Sequence, residues 1–138
     1  MLRNLLSNAR KYSPLGGDVR LDLCRQRDAA GEWAVLAIED RGFGIPESDL
    51  PAVFERFHRG ANVRGRIGGS GIGLAGARQI VKEHGGSLTV ESRESVGSTF
   101  TVRLPLTLAM DELGFTDGAA AHQAADADVL RFSTRSPA

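Results

Sequence analysis

The stretch WAVLAIEDRGFGI, residues 33–45, joins a run of apolar residues to a glycine-rich loop. Residues 33–39 are nearly all apolar, which predicts a strand in the centre of a sheet. Asp40 follows this strand, and a carboxylate there can accept a hydrogen bond from the amino group of a ligand. Gly42 and Gly44 allow the backbone to approach a ligand closely. A tight strand-to-helix turn explains the same pattern equally well, so this stretch by itself leaves both interpretations open.

The segments on both sides of this stretch predict further strands. Residues 18–25 alternate between apolar and polar side chains, as a half-buried strand does, and residues 28–31 form a hairpin-like connection to the apolar strand. Residues 87–92 and 98–104 also alternate, and a short turn through Gly97 joins them. This arrangement predicts a second hairpin.

Helical patterns lie between and before the predicted strands. Residues 1–12 and 71–84 carry apolar side chains at helical spacing, and glycine pairs follow both segments. Pro46 suits the first turn of a third helix. The predicted apolar stripe of that helix consists of Leu50, Val53, Phe54 and Phe57. Residues 59–70 contain four glycines and three arginines, which predicts a long mobile loop.

Length and composition limit the classes of protein to which the chain can belong. Its 138 residues suffice for one domain, and 17 basic residues balance 17 acidic ones. A net charge of zero argues against a general nucleic-acid-binding protein. No run approaches the length of a transmembrane helix and the first residues lack a secretory pattern, so we expect a cytoplasmic location and no membrane insertion. The single cysteine, Cys24, excludes an internal disulfide and a cysteine-based zinc site.

Residues 68–74 read GGSGIGL and open the second predicted helix. Free backbone N–H groups at such a position can bind an anion such as phosphate. Gly71, Gly73 and Gly76 also match the G-x-G-x-x-G pattern of dinucleotide-binding folds, with Glu91 at the spacing those folds require. Those folds place a strand directly before the motif, whereas this chain has an arginine- and glycine-rich loop there. The sequence therefore disfavours a dinucleotide-binding fold.

The first predicted helix carries two asparagines and a lysine on one side. Asn4 and Asn8 are four residues apart and share a helical face, and Lys11 lies one turn further along. An amide oxygen can ligate Mg²⁺, and an ammonium group can neutralise a phosphate. The alternative is a solvated face of an amphipathic helix, and the helix by itself does not decide between the two.

Five motifs in this order resemble the ATP-binding catalytic domain of sensor histidine kinases. The stretches similar to the N, G1, F, G2 and G3 boxes of that family are NLLSNARKYSP (4–14), DRGFGI (40–45), FERFHRG (54–60), GGSGIGL (68–74) and GSTF (97–100). The resemblance implies the Bergerat ATP-binding fold, an α/β (α+β) two-layer sandwich in which a mixed, mostly antiparallel sheet packs against about three helices. It covers residues 1–106, and residues 107–138 are predicted to be a low-complexity, flexible tail.

The resemblance implies ATP and Mg²⁺ as cofactors and assigns catalytic roles to three residues. Asn8 would ligate an Mg²⁺ ion that bridges the ATP phosphates. Lys11 would contact phosphate, and Arg59, in a loop similar to the ATP lid of the family, would reach the terminal phosphates. Catalysis would then consist mainly of positioning and charge neutralisation.

The resemblance also implies residues that bind the nucleotide. Asp40 would accept a hydrogen bond from the adenine amino group, so that the site prefers adenine over guanine. Tyr12 would lie against the adenine, and Ser98 or Thr99 would close its side of the pocket. The remaining implied binding residues come from the glycine-rich motifs and are Gly42, Gly44, Ile45, Gly69, Ser70, Gly71, Ile72, Gly73 and Leu74.

Asn4 distinguishes subfamilies within this resemblance. In the related gyrase, mismatch-repair and heat-shock chaperone ATPases, a glutamate stands at this position and activates water for hydrolysis. Asparagine has no useful basicity, so slow hydrolysis is expected. Slow hydrolysis suits a protein histidine kinase that keeps ATP intact until a histidine arrives as the nucleophile.

Two parts that the resemblance implies are missing from the sequence. The family places an acidic residue directly after the phosphoacceptor histidine, whereas arginine, glycine and glutamine follow His58, His84 and His122. The phosphoacceptor is therefore expected on a dimerisation domain, in a separate chain or in a longer parent protein, with a response regulator as an indirect partner. The strands that the family has before residue 1 are also missing, which predicts an unpaired sheet edge.

Other functions remain compatible with the same motifs. The chain could be a non-catalytic ATP-binding or protein-interaction module, or an inactive truncated fragment. Anti-sigma-factor kinases share the fold, but they usually lack the FERF motif that this chain carries at residues 54–57. The sequence therefore favours the histidine kinase interpretation.

Overall fold

The computed structural model describes residues 1–65, 67–106 and 130–136. The helices are α1 (Leu2–Lys11), a 3₁₀ helix (Glu47–Ala52) and α2 (Gly73–Glu83). The strands are β1 (Gly17–Asp28), β2 (Gly31–Asp40), β3 (Ser87–Arg93), β4 (Gly97–Pro105) and β5 (Leu130–Ser136). None of the helices in these residues has both the length and the apolar character needed to cross a membrane.

The five strands form one sheet in the order β3-β4-β2-β1-β5. All four pairings between described strands are antiparallel. The apolar strand β2 lies in the middle, between β4 and β1, as its sequence predicts. Both predicted hairpins are present, with small differences at the strand ends.

The two α-helices pack on one face of the sheet and complete a two-layer sandwich. Leu5 in α1 and Val81 in α2 are buried against Ile38 of β2 and Val102 of β4, and none of these four side chains is more than 2% exposed. The buried residues of the two helices, Leu5 and Ala9 in α1 and Ala77 and Val81 in α2, thus lie on the sides that face the sheet. The predicted α/β two-layer sandwich is confirmed.

The third predicted helix is shorter than its sequence suggests. Only a 3₁₀ helix over Glu47–Ala52 forms, and it contains Pro51, which has no N–H group to continue a helical ladder. Phe57 lies outside any helix, has a φ angle of 64° and is 71% exposed. The prediction that Phe57 extends the apolar stripe is therefore wrong, because its backbone N–H donates to the carbonyl of Gly71 instead.

The strand β5 lies within residues predicted to be a flexible tail. It pairs with β1 along seven residues, and the Arg131 guanidinium lies 3.4 Å from the Asp22 carboxylate of β1. The prediction for residues 130–136 is therefore wrong, and β1 has a paired neighbour on both sides rather than an unpaired edge. Residues 107–129 and 137–138 lie outside the described residues, and the domain boundary at residue 106 stays a prediction.

Two neighbouring leucines of α1 test the packing of the core. Leu5 is 1% exposed and Leu6 is 37% exposed. Leu5→Ala is expected to lower the free energy of unfolding by about 2–5 kcal/mol, because it leaves a cavity between helix and sheet. Leu6→Ala, the matched control, is expected to cost less than about 1 kcal/mol. Urea unfolding followed by circular dichroism measures both, and equal losses would contradict the packing.

Candidate functional site

A cleft opens between α1, the loop after β2 and the first half of β4. The loop of residues 57–71, which joins the 3₁₀ helix region to α2, covers one side of it. The residues that line the cleft are Asn8, Tyr12, Asp40, Gly44, Ile45, Val53, His58, Arg59, Gly60, Asn62, Val63, Leu74, Ser98 and Phe100. The motifs quoted from the sequence thus meet at one place.

Asp40 lies at the inner end of this cleft, where β2 ends. Asp40 is 4% exposed, and one of its carboxylate oxygens accepts a hydrogen bond from the Gly42 N–H at 2.9 Å. Burial raises the pKa of the Asp40 carboxyl, while backbone hydrogen bonds from Gly42 and Ser98 partly oppose that rise. The cleft therefore contains a buried acceptor that a polar ligand can satisfy.

The glycine-rich loop after Asp40 is held between the end of α1 and the turn from β3 to β4. A Cβ atom on Gly42 would lie 2.1 Å from the Tyr12 carbonyl oxygen, and one on Gly44 would lie 2.0 Å from the Arg93 carbonyl oxygen. The Phe43 N–H donates to the same Tyr12 carbonyl at 3.0 Å. Gly42 thus lies outside the cleft lining and sets the position of Tyr12, whereas Gly44 lines the cleft.

Helix α1 brings only part of its predicted site to the cleft. Asn8 and Tyr12 lie one turn apart and both line it. The Lys11 ammonium lies 5.3 Å from the centre of the Tyr12 ring, and a Cβ atom on Gly69 would lie 2.2 Å from its Nζ. Lys11 therefore lies beside the glycine-rich segment 68–74 rather than in the cleft wall.

Most of the glycine-rich segment lies next to the cleft instead of lining it. Leu74 lines the cleft, whereas Gly69, Ser70, Gly71, Ile72 and Gly73 do not. Gly71 has a φ angle of 70° and packs against the backbone of residues 57–58, where a Cβ atom would lie 2.9 Å from Phe57 and His58. The segment therefore connects the loop of residues 57–71 to the start of α2.

Thr99 does not line the cleft, whereas Ser98 does. Ser98 pairs with Asp40 across β4 and β2 and lines the cleft, while Thr99 pairs with Glu39 on the opposite face of the sheet. Successive residues of a strand point to opposite faces, so only one of the two predicted positions can face the ligand. The register selects Ser98, which is 7% exposed and hydrogen-bonded to Ser92.

Six lining residues were not among the predicted site residues. Gly60, Asn62 and Val63 come from the predicted mobile loop, His58 directly precedes that loop, and Val53 and Phe100 come from the surrounding core. Val63 is 6% exposed, and the Asn62 side chain donates to the Gly44 carbonyl at 3.2 Å. The FERFHRG motif pointed to this loop, but no sequence signal showed which of its residues turn inward.

Asn8 is a cleft residue that could ligate Mg²⁺ together with a nucleotide. The described residues contain no group of three or more His, Cys, Asp or Glu side chains that could hold a metal. Asn8 offers one amide oxygen in the cleft, and Mg²⁺ commonly takes its other ligands from substrate phosphates and water.

Replacing the buried carboxyl with a neutral amide tests the environment of Asp40. Because its pKa is raised above the ordinary value of 3.8, the folded protein holds this proton more tightly than the unfolded chain does. The wild-type protein should therefore lose stability relative to Asp40→Asn as the pH rises through the raised pKa. Thermal unfolding between about pH 4 and pH 8 measures the difference in Tm. A difference that does not change with pH would contradict the burial of a titrating carboxyl.

Comparison with known proteins matches this arrangement. A family model described as histidine kinase-, DNA gyrase B- and HSP90-like ATPase matches residues 1–108. The sensor-like histidine kinase SenX3 of Mycobacterium tuberculosis is 47% identical over 105 residues, which are 75% of this chain and 25% of SenX3. The chain spans about a quarter or less of the length of the curated relatives it matches.

Solved structures show the same fold. The mycobacterial sensor histidine kinase MprB is 41% identical, with a TM-score of 0.60 over 74% of this chain and 67% of that one. Full-length ShkA in complex with AMPPNP is 25% identical, with a TM-score of 0.58 over 75% of this chain and 20% of that one. Sequence, fold and the meeting of the five motifs at one cleft agree, and the chain belongs to the histidine kinase-, DNA gyrase B- and HSP90-like ATPase family.

Proposed function

We propose that the cleft binds Mg·ATP and that this domain transfers the γ-phosphoryl group to a histidine on a separate dimerisation domain or chain. The observation that carries the proposal is the buried Asp40 carboxylate inside a largely apolar cleft next to Asn8 and Arg59. The structure of ShkA, a neighbour in fold, holds the ATP analogue AMPPNP, which supports a nucleotide as the ligand.

Asp40 provides the basis for selecting the nucleobase. An adenine amino group donates a hydrogen bond, whereas guanine presents a carbonyl oxygen at the equivalent ring position. A buried carboxylate facing that carbonyl would keep an unpaired acceptor, which costs about 1–3 kcal/mol or more. The second Asp40 contact, with the Gly42 N–H, fixes the direction of the carboxylate. The cleft is therefore suited to adenine.

Asn8, Arg59 and Lys11 would hold the phosphates. Arg59 lines the cleft, and its Nε is buried with no hydrogen-bond partner among the described residues, a donor that an anionic group can satisfy. Asn8 would ligate the Mg²⁺ ion, whose chemistry is to neutralise charge on the phosphates during transfer. Lys11, beside Gly69, would add a second positive charge near the terminal phosphates.

The chain contains an asparagine where a hydrolase of this superfamily would need a base. The Asn4 side chain donates to the Gly73 carbonyl at 3.4 Å, so it links α1 to the start of α2. An amide cannot accept a proton from water at neutral pH. In the proposed reaction, the bond between the β–γ bridging oxygen and the γ-phosphorus breaks as the histidine nitrogen forms a bond to phosphorus, and ADP leaves.

The remaining parts of the reaction are expected from other domains. We infer that the phosphoacceptor histidine lies on a dimerisation domain, in a separate chain or in a longer parent protein, and that a response regulator receives the phosphoryl group afterwards. The predicted catalytic domain of residues 1–106 supplies the nucleotide and its orientation. The names of the relatives, which are sensor histidine kinases, support this division of labour.

Calorimetry of Mg·ATP binding tests the ligand and the role of Asp40. The wild-type chain is expected to bind Mg·ATP at micromolar to sub-millimolar concentrations and Mg·GTP at least about tenfold more weakly. Asp40→Ala should abolish detectable binding because the adenine amino group loses its acceptor. Glu39→Ala, the neighbouring carboxyl on the opposite sheet face, is the matched control and should bind as the wild type does. Equal binding by both variants would overturn the assignment.

A transfer assay tests the reaction itself. The chain is mixed with γ-labelled ATP and a separate helical hairpin that carries the phosphoacceptor histidine of a related kinase. Label on the hairpin is expected with the wild-type chain and with Ser7→Ala, an exposed neighbour in α1. Asn8→Ala should reduce the labelling rate by about 100-fold or more, as expected when metal positioning is lost. Undiminished labelling by Asn8→Ala would remove the metal role, and ATP binding without any labelling would favour a non-catalytic module.

A further inference from the structure

The loop of residues 57–71 contributes five of the residues that line the cleft. These residues are His58, Arg59, Gly60, Asn62 and Val63. Their positions depend on what holds the loop against the rest of the domain. One anchor is at its ends, where the Phe57 N–H donates to the Gly71 carbonyl at 2.9 Å, and another is Asn62, which donates to Gly44.

A third anchor comes from a residue that does not itself line the cleft. Asp49 lies in the 3₁₀ helix, and its Oδ2 accepts a hydrogen bond from the Ala61 N–H at 2.9 Å. Its Oδ1 lies 3.5 Å from Nε2 of His58, and the two side chains are 16% and 18% exposed. The Asp49 carboxylate therefore contacts the loop on both sides of Gly60.

The loop backbone passes close to the Asp49 carboxylate at Gly60. A Cβ atom on Gly60 would lie 3.5 Å from Asp49 Oδ2 and 2.9 Å from the Asn62 side-chain oxygen. The chain then turns inward. Val63, two residues after Ala61, is buried and lines the cleft. The contact with Asp49 thus comes just before the part of the loop that faces the ligand.

We propose that Asp49 is a positioning residue, which holds the loop of residues 57–71 over the cleft and thereby places Arg59 for the phosphates. This inference rests on the proposed nucleotide site and deepens it. Asp49 acts through the loop, since it contacts Ala61 and His58 rather than the cleft. Its effect should therefore fall on the phosphate-dependent part of binding and leave the adenine contact at Asp40 unchanged.

The chain offers a matched control in the same element. Glu47 begins the 3₁₀ helix and is exposed, and its side chain has no hydrogen bond or ion pair within residues 1–65, 67–106 and 130–136. Glu47→Ala removes a carboxylate from the same 3₁₀ helix and leaves both Asp49 contacts in place. Asp49→Ala removes both contacts, whereas Asp49→Asn keeps an oxygen that can accept from the Ala61 N–H.

Two measurements on the full chain test the proposal. The first is hydrogen exchange at the Ala61 amide without nucleotide. Relative to an unstructured peptide, this exchange should be slowed about fivefold or more in the wild type, Glu47→Ala and Asp49→Asn. It should not be slowed in Asp49→Ala. The second is calorimetry with Mg·ATP and with adenosine. Asp49→Ala should weaken Mg·ATP binding about five- to tenfold and change adenosine binding less than about twofold, with Asp49→Asn close to the wild type.

Several results would overturn the proposal. An unprotected Ala61 amide in the wild type would show that the anchor does not form, and this result needs no variant to fold. Mg·ATP and adenosine affinities that fall together in Asp49→Ala, or an Asp49→Asn variant as weak as Asp49→Ala, would indicate a general structural role. If the wild type binds neither ligand, the proposed function fails, while exchange at Ala61 still decides whether Asp49 anchors the loop.

Discussion

The carboxylate of Asp40, buried at the end of the central strand, is the constraint on which the site depends. A buried carboxylate is costly unless it is hydrogen-bonded, and the Gly42 N–H supplies one such bond at 2.9 Å. To place that N–H, the loop after β2 must run so close to α1 that no side chain fits at Gly42. The position of Tyr12 at the end of α1 is tied to the same close approach, because the Phe43 N–H donates to the Tyr12 carbonyl at 3.0 Å.

The two sides of the cleft are built by different means. The side at Asp40 consists of strand residues such as Asp40 and Ser98, whose positions are fixed by backbone ladders and the core. The side at Arg59 is formed by the loop of residues 57–71, which is held through the side chains of Asn62 and Asp49. In the proposed function, the strand side would hold the adenine and the separately anchored loop side would hold the phosphates.

The strand β5 shows how a distant segment can complete a sheet. Antiparallel pairing with β1 satisfies backbone groups that would otherwise form an exposed edge, a common origin of unwanted association between sheets. Within residues 130–136 only Leu130 and Phe132 are apolar, so the alternation of a strand is limited to residues 130–133. So short a pattern does not distinguish a strand from a polar tail. The partner strand β1 lies near the other end of the chain, so no local signal indicates the pairing.

Local periodicity in the sequence determined α1, α2 and strands β1 to β4, because the apolar spacing within each segment needs no knowledge of the others. The order of the five motifs resembles that of histidine kinase catalytic domains, and this resemblance implied that Asp40 and Asn8 belong to one site. Only the tertiary structure decided that Ser98 faces the cleft and Thr99 does not, since that depends on the register between β4 and β2. It also decided the contacts of the loop of residues 57–71 and the pairing of β5. These contacts join different segments of the chain, and the periodicity within one segment does not show which other segment it meets.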